Sequence, residues 1–173
     1  MKKKKVLITK KKFKIKSSER NIILGIGGSG TTKRVPAKKY IEFMKLVSTI
    51  HKPRFFLATG KNPEEQKILN EIMNSKFKNK CKRLDNLSIK KILPIICNCD
   101  ISVCNDSSFS HLSAALGIKT IVLMADTPIM YGTYSKNMHA IIPDGEKTVT
   151  HNTHGKNKIN PKKIFNKYKQ LVN

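Results

Sequence analysis

Tryptophan is absent from this 173-residue chain, and all aromatic residues together make up only 6 % of it. No basic strand interleaved with aromatics and no zinc-finger spacing is found, so the usual means of stacking or reading nucleic acid are missing. Acidic residues are scarce too: 11 stand against 35 lysines and arginines, a formal net charge of +24. No apolar run approaches the ~18 residues that a membrane-spanning helix needs. The basic opening MKKKKVLITKKK has only Val6-Leu7-Ile8 before lysines resume, too little for the apolar segment of a secretory signal. A cytoplasmic chain is expected. The four cysteines, Cys81, Cys97, Cys99 and Cys104, make neither a disulfide framework nor the paired C-x-x-C of a zinc site. They read as free thiols buried in a reducing compartment, and no metal is expected.

What is present begins with the charge. An excess this large predicts attraction to polyanions, of which nucleic acid, an anionic membrane surface and phosphorylated glycans are the classes available. With no aromatic or zinc-finger signature, nucleic acid is the weakest of them. The lysines are spread over the whole chain, so most of them describe a solvated surface rather than a site. The length suits one domain with an ordinary core. We divide it into a basic lead, residues 1–20, and a single domain, residues 21–173.

Along that domain short apolar runs alternate with helical patterns. NIILGI (21–26) ends in glycines, as a buried parallel strand does before a turn. PAKKYIEFMKLVSTIH (36–51) follows, with Tyr40, Phe43, Met44 and Val47 at helical spacing. RFFLAT (54–59) reads as a strand. NPEEQKILNEIMNSK (62–76) reads as a helix with Asn62 as cap and Pro63 at its first position. A short strand near Cys81, a helix over 88–99 that Pro94 either interrupts or makes start late, a strand over 100–104, a helix over 107–117, a strand over 119–125 and a closing helix over 160–173 complete the series. Alternation of this kind predicts an α/β domain, a doubly wound parallel sheet.

In such sheets ligands collect where strands run into helix N-termini. Three loops fall there: GIGGSGTTKRVP (25–36), GKNPEEQ (60–66) and CNDSSFSH (104–111). The first matches G-x-G-x-x-G literally but is no P-loop. It is either a plain turn or a loop in which Gly28 and its neighbours offer amides, Ser29, Thr31 and Thr32 offer hydroxyls and Lys33 offers a point charge to phosphate. In the third loop Asp106 and Ser107 either cap the next helix or face a pocket with Ser108 and His111.

Taken together, GGSGTTKRVPAKKYIEFMKLV, FFLATGKNPEEQ and ISVCNDSSFSHLSAALGIKTIVLMADTP resemble the C-terminal, donor-binding half of glycosyltransferase family 9, the lipopolysaccharide heptosyltransferases. Order and spacing agree over residues 20–135. The resemblance implies a Rossmann-like domain that is one half of a two-domain GT-B enzyme. It implies a nucleotide-sugar donor, ADP-heptose or another, with no further cofactor. By the same resemblance Gly28, Ser29, Thr31, Thr32 and Lys33 would hold the pyrophosphate, Glu64 or Glu65 the ribose hydroxyls, and Asp106, Ser107, Ser108 and His111 the pocket near sugar and phosphates. Lys33, Asp106 and His111 are the residues it implies for catalysis. Two positions depart from the family pattern: Val35 stands for its tryptophan and Ser108 for a glycine. The acceptor site and its aspartate base belong to the family's other half, so a separate acceptor-binding domain or subunit is an expected partner, as is an anionic membrane inner face or lipopolysaccharide. Two other readings stay open: a nucleotide-binding module without catalysis, and a basic polyanion-binding protein on the same scaffold.

Overall fold

A computed structural model describes residues 3–172. Six strands, β1 (Arg20–Gly25), β2 (Pro53–Ala58), β3 (Cys81–Arg83), β4 (Ile101–Asn105), β5 (Thr120–Leu123) and β6 (Met138–Ile141), form one sheet in the order β3-β2-β1-β4-β5-β6. Every pairing is parallel. The helices are α1 (Lys3–Lys12), α2 (Ala37–Val47), α3 (Pro63–Met73), α4 (Ile89–Ile96), α5 (Ser108–Ala115) and α6 (Pro161–Val172).

Alternation along the strands explains why both faces are covered. Ile22, Leu24, Phe55, Leu57, Ile121 and Leu123 pack on one side with Tyr40, Phe43, Met44 and Val47 of α2, Leu69 and Ile72 of α3, and Ile164 and Tyr168 of α6. Their neighbours Ile23, Phe56 and Ala58 turn to the other side, against Ile92, Ile95 and Ile96 of α4. Each such side chain contributes about 1.5–3 kcal/mol by leaving water. That is why nearly continuous apolar strands read correctly as parallel.

Several details differ from the sequence expectations. The basic lead is helical over α1, with Thr9 buried and Ile15 in the core beside α4. Pro94 lies inside α4, which begins at Ile89, so the proline neither interrupts the helix nor delays its start, and the helix stays in place because Ile92, Ile95 and Ile96 are buried around it. Strand β6 was not anticipated: MHAI carries His139 in an otherwise apolar run of four, so its pattern is too short and mixed to stand out.

Strand order reverses direction between β1 and β4, the point at which an open α/β sheet leaves a crevice beyond its carboxyl ends. The loops following β1, β2 and β4 all arrive there.

Candidate functional site

The crevice starts from a close approach of backbones. Gly25 ends β1 opposite Cys104, and a Cβ there would meet the Cys104 thiol and lie 3.2 Å from the Phe109 Cβ. Glycine is therefore required for β1 to lie this near β4 and the start of α5. The loop that follows is held from three directions. Asn105, wholly buried at the end of β4, donates through Nδ2 to the carbonyls of Ile26 at 3.0 Å and Gly27 at 3.2 Å. Its Oδ1 accepts from the Tyr40 hydroxyl at 2.7 Å and from the Val35 amide at 3.3 Å. That satisfies both ends of a buried amide. Burial, aided by the nearby Cys104, pushes the Tyr40 phenol well above its ordinary value and keeps it a donor.

The Gly28 peptide is gripped on both sides. Its N–H donates to Glu65 Oε1 at 2.7 Å, and its carbonyl accepts from Arg34 Nε at 2.9 Å. Arg34 is itself buried, and its Nη1 pairs with Glu64. Glu65 reaches the loop because α3 starts cleanly: Asn62 accepts from the Glu64 amide at 2.9 Å and Pro63 opens the helix.

Two cavities meet on this frame. The larger, about 870 Å³, runs past Gly27, Gly28, Ser29, Gly30 and Thr31, takes in Thr59, Asn62 and Glu65, and ends on Leu87, Ile89, Ile92 and Phe109. The smaller, about 370 Å³, is lined by Lys33, Asp106, His111, Thr127, Tyr131 and His151. Ser29, Ser107 and Ser108 border both. Two buried hydroxyls on their walls, Thr59 and Thr127, have no hydrogen-bond partner. Buried donors in that condition are costly unless a ligand or water satisfies them.

Charge is concentrated at the smaller cavity. Asp106 is buried, with Lys33 Nζ at 3.4 Å from one carboxylate oxygen and His111 Nε2 at 3.5 Å from the other. His111 Nδ1 lies 2.8 Å from the Tyr134 hydroxyl, and the two rings stack with centroids 5.7 Å apart. Behind the loop, burial pushes the Asp126 carboxyl up, but bonds from the His154 amide and Thr32, with the His154 charge, outweigh it and leave Asp126 below the ordinary carboxylate value. Lys156 Nζ donates to the Thr31 carbonyl at 2.7 Å, closing the loop from this side.

Most of the expected site residues thus converge. Gly28, Ser29, Thr31, Lys33, Glu65, Asp106, Ser107, Ser108 and His111 all border the paired cavities. Glu64 does not: itself exposed, it pairs with the buried Arg34 from a separate depression shared with Lys67 and Glu71. Thr32 lines neither cavity and turns to Asp126. The sequence reading left out Asn105, Tyr40 and Tyr134, and Arg34, read there as a second cation of the loop, instead holds the Gly28 carbonyl. A polar Asn105 closing an apolar strand was the available signal for the first, whereas nothing local announces that Tyr134 will stack on a histidine 23 residues earlier.

Sheet order and crevice define an α/β domain of the Rossmann-like class. The sequence matches the family described as glycosyltransferase family 9 (heptosyltransferase) over residues 1–161, and the chain belongs to that family. It is 24 % identical over 146 residues to a lipopolysaccharide heptosyltransferase 1 of Campylobacter coli, covering 83 % of this chain and 42 % of the relative. A lipooligosaccharide heptosyltransferase 2 of Campylobacter jejuni serotype O:2 is 29 % identical over 168 residues, covering 87 % and 51 %. Among solved structures, an E. coli ADP-heptose lps heptosyltransferase II superposes with a TM-score of 0.80 at 21 % identity, covering 99 % of this chain and 52 % of that one. The E. coli heptosyltransferase WaaC with ADP gives 0.74 at 16 % identity, covering 89 % and 45 %. The chain spans about half the length of the relatives it matches.

Proposed function

We propose that this domain is the donor half of a heptosyltransferase and that its crevice binds an ADP-activated sugar. The observation that carries the reading is the glycine loop, fixed by Asn105, Arg34 and Glu65 between two cavities whose walls hold unpaired hydroxyls. The larger cavity takes the nucleoside, its base against Leu87 and Ile89 and its ribose toward Glu65. Loop amides, Ser29, Thr31 and Lys33 take the diphosphate, and the smaller cavity takes the sugar. Lys33 then stands where negative charge grows on the departing ADP, the place at which a fixed cation accelerates the transfer most. Asp106 lies between Lys33 and His111, with one oxygen near each, and in this reading it positions those groups while the base is supplied elsewhere. The base for the acceptor hydroxyl comes from a second domain, with lipopolysaccharide as acceptor. The domain works in the cytoplasm, where its cysteines stay reduced.

Thermal unfolding in a panel of nucleoside diphosphates tests the reading, since a ligand of the folded state raises Tm by mass action. ADP and an ADP-sugar should raise it saturably and UDP less. A Tm unmoved by any nucleotide would reject the donor site.

A further inference from the structure

Helix α1 carries six lysines and no acid in KKKVLITKKK. It is fixed to the domain: Asn98 Nδ2, just beyond α4, donates to the Val6 carbonyl at 3.0 Å, and Lys10 Nζ reaches Ser17 at 2.8 Å. With Thr9 turned inward, Leu7 and Ile8 are left 57 % and 56 % exposed. Beside them lies an open depression of about 470 Å³, floored by Val6 and Leu7 and rimmed by Lys3, Lys4 and Lys10. Apolar side chains in water, ringed by ammonium groups, call for a surface with hydrocarbon inside and negative charge outside.

We propose that α1 is a docking element for a bilayer containing anionic phospholipid, with Leu7 and Ile8 entering the headgroup boundary and the lysines on the phosphates. Charge complementarity selects this occupant over a neutral membrane. A nucleic acid would satisfy the lysines and leave Leu7 and Ile8 in water. These two residues stand about 100° apart around the helix, an arc that a soft planar interface accepts. Asn98 precedes β4, so the patch sits toward the amino ends of the strands and the crevice at their carboxyl ends stays open during docking. The proposal does not rest on the nucleotide reading.

The test is co-sedimentation of the full chain with vesicles of phosphatidylcholine alone or with roughly one-third phosphatidylglycerol. The double variant Leu7→Gln/Ile8→Gln keeps every charge, and Ile50→Gln alters an exposed apolar residue on another loop. Expected is salt-sensitive binding to the anionic vesicles only, weakened about tenfold or more in the double variant and unchanged in Ile50→Gln. Equal binding by the double variant, or no binding by the natural chain, overturns the proposal. A second readout avoids any effect of the double substitution on folding. Because the chain has no tryptophan, Leu7→Trp supplies a single reporter at the contact. Its emission should shift to the blue on anionic vesicles, and an unshifted spectrum on vesicles that carry the protein down also overturns it.

Discussion

The amide of Gly28 and the carboxylate of Glu65 stand 37 residues apart in sequence and 2.7 Å apart in space. This bond joins the loop after β1 to the first turns of α3, and the Arg34 bond to the Gly28 carbonyl holds the same peptide from the other side. A loop held in this way keeps its remaining amides aimed before any ligand arrives, which lowers the ordering cost of binding.

Replacing Glu65 with alanine should therefore cost stability and affinity together. A buried N–H left without its charged acceptor amounts to about 1–3 kcal/mol, readable as a lower urea midpoint. ADP affinity should fall about tenfold or more. Glu65→Gln, which keeps an acceptor oxygen, should recover most of the stability.

Asn105 gives a sharper case, because one amide group serves four bonds. Asn105→Asp removes the two donors to Ile26 and Gly27 and buries a charge beside carbonyl oxygens. It should unfold at lower urea than Asn105→Ala, by about 1 kcal/mol or more. Midpoints equal to that of the natural chain in both variants would show that the Asn105 amide does not hold the loop.

These two residues also mark what was legible in the sequence. Strand and helix patterns showed plainly where the sheet is parallel, because Ile22 to Leu24 and Phe55 to Leu57 are buried on both faces. The three loops named from the sequence do meet at one crevice. What could not be read was the division of labour within them. Adjacent Glu64 and Glu65 are chemically identical, and only the direction in which α3 starts brings Glu65 to the Gly28 amide and leaves Glu64 exposed beside Arg34. The same holds for Thr31 and Thr32. Tyr40 looked like one more apolar position on α2, and its hydroxyl bond to Asn105 depends on a strand 65 residues away.

Gly25 and Gly28 should respond in opposite ways to an added methyl. At Gly25 the new carbon meets the Cys104 side chain and Phe109, so Gly25→Ala should destabilise by about 1–3 kcal/mol. At Gly28 the nearest atom is 3.9 Å away, so Gly28→Ala should fold normally. Its methyl borders the larger cavity, and its effect should appear in nucleotide affinity instead. Chemical denaturation with calorimetry on both variants checks the contrast.

Asp85, on the wall of the larger cavity, sets a pH dependence. Hydrogen bonds from Arg83, at 3.2 and 2.9 Å, outweigh burial and hold its carboxyl below the ordinary value. A carboxyl lowered in the folded state stabilises the fold above its unfolded pKa of about 3.9, and that stabilisation is lost as pH falls through the folded value. The stability gap between the natural chain and Asp85→Asn should be about 1–2 kcal/mol at neutral pH and close as the pH drops below about 4. A gap that stays constant down to the acid limit would contradict the Arg83 pairing.

The central claim, that the fixed glycine loop and Lys33 hold a diphosphate, is tested most directly by calorimetry of ADP against the natural chain and Lys33→Ala. Moderate salt suppresses attraction that comes only from the net charge. The account predicts saturable binding at one site, weakened about tenfold to a hundredfold in the variant, the loss expected of a charge-assisted bond. Absence of binding by the natural chain, or equal binding by both proteins, would contradict it.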